Sequence, residues 1–307
     1  MHAGVRRGGT LIRCSGRGVT VVPRGGPAVP VVSYAERPVL DVRATILHLG
    51  PDALRARLHL PSWHRPGSGP LPVLLDPYGG AGAQRVTAET DAKTLVSQWF
   101  AEHGFAVLVA DGRGTQVRGP DWERAVHGDL FGSVLDDQVT ALHEAARRHS
   151  DLDLGRVGIR GWSFSGTLAL LAVLRRPDVF HAAGAGAGVT DQRLYDAHWR
   201  ERFLGHPEVH ADRYEAASPL REAYRLTRPL LLLHGLADPK VPPVHTLRLS
   251  AALRAAGRPH ELVLLPGAGH QPVGTSLTEE VLRPQVRFLR RHLAASAVTG
   301  HLGRETC

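Results

Sequence analysis

The sequence is poor in cysteine, with only Cys14 and Cys307 among its 307 residues. Two cysteines near opposite ends of a chain cannot form a disulfide framework, a CxxC redox pair or a thiolate zinc site. The sequence also has no run of about 18 apolar residues that could span a bilayer, and its N-terminus lacks the apolar segment of a signal peptide. We therefore expect no membrane association and a cytoplasmic location.

Lysine is nearly absent too, since Lys93 and Lys240 are the only two and the other 35 of the 37 basic residues are arginine. The net charge is +8, but six arginines and a single acid, Glu36, place +5 of it in residues 1–40. A basic excess confined to one end, without a recognised binding module, does not indicate a nucleic-acid partner.

Cofactor motifs are missing as well. The glycine-rich stretch AGAGAG at 183–188 does not have the GxGxxG spacing of dinucleotide sites, and no Gly-Lys-Ser/Thr occurs for a nucleoside triphosphate. No HExxH or comparable group of ligands points to a metal. We expect neither a cofactor nor a metal.

The composition is otherwise that of a soluble globular protein, with 43% hydrophobic and 21% charged residues. Residues 39–47 and 54–60 alternate like antiparallel strands. From residue 73 onward, continuous apolar strands are separated by helical stretches with apolar residues at helical spacing. The predicted strands are 73–76, 105–111, 156–162, 182–188, 229–235 and 261–266, and the clearest helical stretches are 135–146 and 282–293.

This alternation predicts a doubly wound, mostly parallel sheet with helices on both faces. We expect one such α/β domain at residues 37–294. Residues 1–36 show no regular periodicity, which favours a poorly ordered basic extension or a remnant of something larger, and residues 295–307 are expected to be a C-terminal tail.

The segment RGWSFSG at 160–166 lies between a predicted strand and a helical stretch, where a nucleophile elbow belongs. Such a tight turn needs small residues two before and two after the nucleophile. Gly161 meets the first requirement and Ser165 meets the second approximately. Ser163 is then the nucleophile, and the amide of Phe164 opens the helix toward a developing oxyanion.

A nucleophilic serine needs a base and an orienting acid, which follow in the order Ser, acid, His in this type of fold. Asp238 comes just after the apolar strand at 229–235, and His270 lies in a glycine-rich loop after the next strand. We expect His270 to take the proton of Ser163 and Asp238 to orient the imidazole. His234, at a strand end, has the pattern of a structural histidine.

The loop LLDPYGGAGAQ at 74–84 also follows an apolar strand and presents Tyr78 beside two glycines. This loop supplies the second oxyanion donor in α/β-hydrolases. Sequence spacing does not distinguish that role from an ordinary packed aromatic residue.

Several segments in this order resemble the catalytic domain of the prolyl oligopeptidase family, most closely its dipeptidyl-peptidase IV branch, from about Val39 to the final helix. The matching segments are LPVLLDPYGG, VLVADGRGT, GDLFGSVLDDQV, RVGIRGWSFSG, TDQRLYDAHWRERFLG and PLLLLHGLADPKV. The resemblance implies an α/β-hydrolase fold. It also implies Ser163, Asp238 and His270 as the triad, with the Tyr78 hydroxyl and the Phe164 amide as the oxyanion hole.

The resemblance further implies an apolar pocket suited to a proline ring, formed with Phe164 by Val189, Tyr195, Trp199 and Val241. Lys240 stands where the family places an asparagine amide on a substrate carbonyl. Members of this branch normally carry an N-terminal β-propeller, which is missing from these 307 residues.

These observations predict a serine-type peptidase that cleaves short peptides through an acyl-enzyme, with a preference for proline on the acyl side. One alternative is a general carboxylesterase or other acyl hydrolase, because the same triad serves many reactions on this fold. The other is a truncated, catalytically weak remnant that needs a partner domain. Whether the chain forms a homo-oligomer is left open.

Overall fold

The structure is a computed structural model that describes residues 3–7, 10–15, 18–32, 34, 39–271 and 274–294. The predicted C-terminal tail at 295–307 lies outside the described residues. Across the described ranges the strands form two sheets, and neither of them is a β-propeller.

The first sheet lies in the predicted basic extension and has four short antiparallel strands in sequence order. They are β1 (Ala3–Arg7), β2 (Thr10–Ser15), β3 (Gly18–Val22) and β4 (Val29–Val31). The sequence pattern indicates no strand in residues 1–36, whereas the described part of this segment contains four. That the segment is a basic extension or a remnant of something larger stays a prediction. These strands are short and largely exposed where burial is described, so they have no buried face to produce an alternating hydrophobic pattern.

The second sheet has eight strands in the order β12-β11-β10-β9-β7-β8-β6-β5. Strands β5 and β6 pair antiparallel, as predicted, and β6 is antiparallel to β8, whereas all pairs from β8 to β12 are parallel. The bounds are β5 (Ala44–Leu49), β6 (Leu54–His59), β7 (Leu71–Leu75), β8 (Ala106–Asp111), β9 (Leu152–Trp162), β10 (Ala182–Gly186), β11 (Leu230–Gly235) and β12 (Glu261–Leu265).

Eight α-helices connect the strands of the described chain. They are α1 (Ala92–Glu102), α2 (Pro120–Arg124), α3 (Gly132–Arg148), α4 (Phe164–Arg175), α5 (Ala197–Leu204), α6 (Ala211–Ala216), α7 (Val244–Ala255) and α8 (Thr275–His292). Two 3₁₀ segments, Gln192–Leu194 and Pro219–Arg225, complete the connections. The predicted helical stretches at 135–146 and 282–293 fall on α3 and α8.

Both faces of the large sheet are covered, as predicted. On one face α3, α4 and α7 bury a core that includes Leu142, Leu171 and Leu253. On the other face α1 and α8 bury a smaller core around Phe100 and Leu289. Because the central strands are buried on both sides, they read in the sequence as continuous apolar runs rather than as alternating ones.

No helix within the described ranges has the length and apolar character needed to cross a bilayer.

Candidate active site

The loops that carry the predicted site residues leave the same edge of the sheet. Tyr78 follows β7, Ser163 follows β9, Asp238 follows β11 and His270 follows β12. These strands are parallel, so their carboxyl ends lie together, which is where ligand and catalytic sites form in open α/β sheets.

Ser163 lies on a strained turn between β9 and α4. Its φ of 61° and ψ of −117° are sparsely populated for a residue with a Cβ atom. A Cβ on Gly161 would lie 2.0 Å from the carbonyl oxygen of Ser165, and one on Gly166 would lie 2.3 Å from the carbonyl oxygen of Gly186. Glycine is thus required on both sides of the serine for the chain to turn this sharply.

Ser165 fills a position where a nucleophile elbow ordinarily has glycine. Its side chain is buried, and its Oγ accepts a hydrogen bond from the Trp162 N–H at 2.9 Å and donates one to the Trp162 carbonyl at 3.0 Å. The hydroxyl therefore binds the backbone of the residue that precedes Ser163. A serine at this position is compatible with the elbow.

The structure brings the three predicted triad residues into one hydrogen-bonded series. His270 Nε2 lies 3.0 Å from Ser163 Oγ, and His270 Nδ1 lies 2.7 Å from Asp238 Oδ2. With Nδ1–H donated to the carboxylate, Nε2 is left as the acceptor for the serine hydroxyl. This arrangement has the polarity that a general base requires.

Backbone groups fix the carboxylate of Asp238. Its Oδ1 accepts hydrogen bonds from the N–H groups of Lys240 and Val241, each at 2.9 Å. The buried ring of His234 bonds Thr246 and the Val241 carbonyl, and its Nε2 lies 3.5 Å from Asp238 Oδ2. Burial lowers the pKa of His234, which keeps it neutral beside the triad at neutral pH. The sequence pattern indicates a structural role for His234 but gives no sign that it lies next to Asp238.

Two groups near Ser163 can donate to an oxyanion. Phe164 is the first residue of α4, and among the described residues its N–H has no hydrogen-bond partner. The Tyr78 ring stacks on the Phe164 ring at 5.6 Å and 22°, and Tyr78 and Ser163 line one cavity. Burial raises the pKa of Tyr78, so its hydroxyl stays protonated and able to donate at neutral pH.

The aromatic residues of the expected proline pocket lie together. The Trp199 ring is 6.3 Å from the ring of Phe164 and 6.5 Å from that of Tyr195. Val189 and Val241 are almost completely buried, at 2% and 0% exposed.

Arg200 is a residue of this region that the sequence analysis missed. Its guanidinium lies 4.6 Å from the Tyr195 ring and 4.5 Å from the Trp199 ring, and its Nε and Nη1 have no hydrogen-bond partner among the residues that the structure describes. Burial lowers its pKa to about 10, so it remains charged at neutral pH. An arginine next to a helical tryptophan looks like a surface residue in the sequence, and its burial depends on tertiary packing.

A cavity of about 400 Å³ opens beside Ser163 and is lined by Tyr78, His270 and Lys240. The predicted substrate residue Lys240 thus lies at this cavity, which the residues of the aromatic pocket do not line. A larger cavity of about 500 Å³ at His260 and His292 contains none of the triad residues, so its size alone does not make it the candidate site.

The floor of the cavity beside Ser163 holds a carboxylate between two arginines. Asp76 Oδ1 lies 2.6 Å from Arg160 Nη1, and Asp76 Oδ2 lies 3.2 Å from Arg85 Nη2. The Ser97 hydroxyl donates to Asp76 at 2.7 Å. Arg160 lies within β9, directly before Gly161. A single arginine in an apolar strand pattern gave no signal that it would pair with Asp76.

Over the residues that the structure describes, no group of three or more His, Cys, Asp and Glu side chains could hold a metal ion.

Comparison with known proteins gives one family and several relatives. Residues 92–296 match the prolyl oligopeptidase family. The chain is 37% identical over 221 residues to human dipeptidyl peptidase 8 and 30% identical over 223 residues to dipeptidyl peptidase family member 1 of Caenorhabditis elegans, matches that cover 71% and 72% of this chain. The crystal structure of Porphyromonas gingivalis dipeptidyl peptidase 4 is similar to 95% of the chain, with a TM-score of 0.82 and 26% identity.

The chain spans only part of these relatives. The matched region is 24% of the human protein, 27% of the nematode protein and 43% of the bacterial structure. Together with the sheet order described above, the structural similarity confirms the predicted α/β-hydrolase fold.

Proposed function

Because the chain belongs to the prolyl oligopeptidase family, we propose that it is a serine peptidase that hydrolyses short peptides through Ser163, His270 and Asp238. The observation that carries this proposal is the unbroken hydrogen-bonded series from Asp238 through His270 to the strained Ser163. Matching residues alone do not give a catalytic site, whereas this geometry allows proton transfer from the serine hydroxyl.

In the first half of the reaction, Ser163 Oγ attacks the carbonyl carbon of the scissile bond while its proton passes to His270 Nε2. The imidazolium that forms is stabilised by the ionised Asp238. As the tetrahedral intermediate collapses, His270 returns the proton to the leaving nitrogen, the C–N bond breaks and an acyl-enzyme remains on Ser163. Water then attacks the acyl carbon with His270 as base. The ester bond to Ser163 breaks, His270 returns the proton to Ser163 Oγ, and the acid product leaves.

The negative charge of the tetrahedral intermediate develops on the former carbonyl oxygen. The Phe164 N–H and the Tyr78 hydroxyl are the donors that we assign to this oxygen. Neither group forms a hydrogen bond with another described residue, so neither must break one to bind the oxyanion. Donors arranged before the reaction stabilise the transition state without reorganisation at the moment of bond formation.

On the acyl side, the rings of Phe164, Tyr195 and Trp199 offer an apolar surface for a proline ring. Val189 and Val241 are the aliphatic residues that we assign to the same pocket. This surface supports the proposed preference for proline on the acyl side, because burying an apolar ring contributes about 25 cal/mol per Å².

A fluorophosphonate probe, which reacts with activated serines, tests the proposal directly. We expect it to label Ser163 alone, and we expect Ser163→Ala or His270→Ala each to lower kcat on Gly-Pro-anilide by up to about 10⁶-fold. Hydrolysis of simple acyl esters without turnover of the proline-linked anilide would favour the carboxylesterase alternative. Labelling that survives in Ser163→Ala would contradict the assignment.

The chain offers a matched control at Ser68. Its Oγ lies 3.1 Å from His64 Nδ1, and His64 Nε2 lies 3.1 Å from Asp151 Oδ2, so a second Ser-His-Asp series exists far from the sheet edge. Ser68 is exposed and lies in a surface turn rather than before a helix. We expect no labelling of Ser68 and unchanged labelling of Ser163 in Ser68→Ala, because hydrogen bonding to a histidine is insufficient without oxyanion donors.

A further inference from the structure

The cavity beside Ser163 is strongly cationic. Among its lining residues are Arg85, Arg160, Lys93 and Lys240, and Asp76 is the single acidic residue among the described residues of the lining. Lys93 and Lys240 are also the only lysines of the sequence, and neither forms an ion pair with a described residue. The proposed triad does not need this excess of positive charge.

The arginines on the floor retain donors after pairing with Asp76. Arg85 binds Asp76 and Ser97 through Nη2 alone, which leaves its Nε and Nη1 without a partner among the described residues. Arg160 uses Nε for Gln285 and Nη1 for Asp76, which leaves Nη2. The side chains are only 11% and 10% exposed, so these guanidinium groups are fixed in place. Fixed guanidinium donors suit the planar geometry of a carboxylate.

The lysines lie at the mouth of the cavity. Both are exposed, and Lys93 Nζ lies 6.0 Å from the Tyr78 ring centre, next to a residue of the proposed oxyanion hole. Lys240 is held near the triad because its N–H donates to Asp238. Two exposed cations at the mouth and two largely buried ones below favour entry of an anion.

The position of the cavity relative to His270 indicates which part of a peptide would enter it. His270 and Gln271 line the cavity, whereas Phe164, Tyr195 and Trp199 do not. In the proposed reaction His270 protonates the leaving nitrogen, so the portion of the substrate on its side is the leaving fragment. This step of the argument rests on the proposed function.

We propose that the cationic cavity formed by Arg85, Arg160, Lys93 and Lys240 binds a carboxylate of the leaving fragment, so that the substrates are short peptides with a free C-terminal carboxylate close to the scissile bond. A cavity of about 400 Å³ is at the small end of ligand sites, which suits a leaving fragment of one or two residues. An acidic side chain of the leaving fragment also carries a carboxylate. The experiment below distinguishes a C-terminal carboxylate from a side-chain carboxylate.

The test measures binding to the Ser163→Ala protein, which does not depend on turnover. Three peptides are titrated by calorimetry: Gly-Pro-Ala with a free carboxylate, Gly-Pro-Ala amide, and Gly-Pro-Glu amide. We expect the free carboxylate to bind about 10- to 100-fold more tightly than the Ala amide, as a charge-assisted contact does. Tighter binding of the Glu amide than of the free acid would show that side-chain carboxylates are the ligand and would overturn the C-terminal assignment.

Charge variants in the same background identify the residues responsible. Lys93→Gln and Lys240→Gln are each expected to lower the ratio of acid to amide affinity several-fold, and the ratio should fall as ionic strength rises. Arg254→Gln is the matched control, because it removes one positive charge from an exposed position of α7 outside the cavity. Equal affinity for acid and amide, no binding of either, or an equal effect of Arg254→Gln would overturn the inference.

Turnover by the wild-type protein then separates the two claims. If the acid peptide binds preferentially but is not cleaved, the cavity assignment stands and the proposed function fails. If both Gly-Pro-Ala peptides are cleaved with equal kcat/KM and bind equally, the proposed function stands and the cavity assignment fails.

Discussion

Acidification is expected to destabilise the fold through His59, a residue outside the active site. The side chain is 0% exposed and lies on β6 against α1. Its Nδ1 lies 3.1 Å from Gln98 Oε1, and its Nε2 has no hydrogen-bond partner in the described part of the chain. Because Nδ1 faces an acceptor, Nδ1 carries the proton in the neutral ring, and a second proton would create an Nε2–H without an acceptor.

Burial lowers the pKa of His59 from 6.5 to about 4 in the folded protein. Between these values the unfolded chain binds the proton and the folded protein does not, so acidification favours unfolding. The stability that neutral His59 contributes is fully present above pH 6.5 and is lost as the pH falls toward 4. With these two pKa values, lowering the pH from 7.5 to 5.0 costs about 2 kcal/mol of unfolding free energy from this one residue. Burial also lowers the pKa of His245 to about 4, which adds a similar cost.

Urea denaturation at pH 7.5 and at pH 5.0 measures this loss as a difference in the free energy of unfolding. Other histidines also lower the free energy of unfolding on acidification. The informative quantity is therefore the difference between the wild type and the variant in the free energy lost from pH 7.5 to pH 5.0. His59→Asn keeps a side-chain donor but cannot titrate, so it should reduce the loss by about 2 kcal/mol. His48→Asn, at an exposed position on neighbouring β5, is the control. An equal pH dependence in the wild type and His59→Asn would refute the reasoning.

Two further predictions concern the site itself. Tyr78→Phe removes a proposed oxyanion donor, and we expect kcat to fall by about 10²–10³-fold with little change in KM. Steady-state assays measure both constants. A change confined to KM would make Tyr78 a binding residue. Gly161→Ala places a Cβ 2.0 Å from the Ser165 carbonyl, so we expect a lower Tm by calorimetry and slow fluorophosphonate labelling. Gly184→Ala on β10 is its control, since its nearest contact would be an ordinary 3.5 Å, and equal effects of the two substitutions would contradict the packing argument.

The central part of the fold was predictable because its strands are buried on both faces. Each predicted strand from 105–111 to 261–266 overlaps an observed one. However, β9 begins at Leu152, four residues before the prediction, because residues 153–156 are exposed or only partly buried and show no continuous apolar run. The exposed strands of residues 3–31 gave no such pattern. Exposed strands carry no periodic apolar face, so sequence periodicity does not detect them.

Some residues of the candidate site were likewise predictable from the sequence, and others were not. Ser163, Asp238 and His270 could be proposed from local motifs, since each follows an apolar strand, and the structure brings them within hydrogen-bonding distance. The catalytic roles stay a prediction. Arg160 and Arg200 could not be proposed, because a charged residue in a strand or helix is normally exposed and only tertiary packing buries these two.

The backbone conformation at Ser163 lowers the stability of the fold, whereas its side chain is the proposed nucleophile. A conformation such as φ 61° costs of order 1–3 kcal/mol for a residue with a Cβ atom, whereas glycine adopts positive φ at little cost. A population selected for thermal stability alone would therefore tend to replace this serine by glycine and would lose the proposed nucleophile in one step. Long-term storage strains and directed-evolution libraries of this protein should be sequenced at codon 163 before any gain in stability is credited to the rest of the fold.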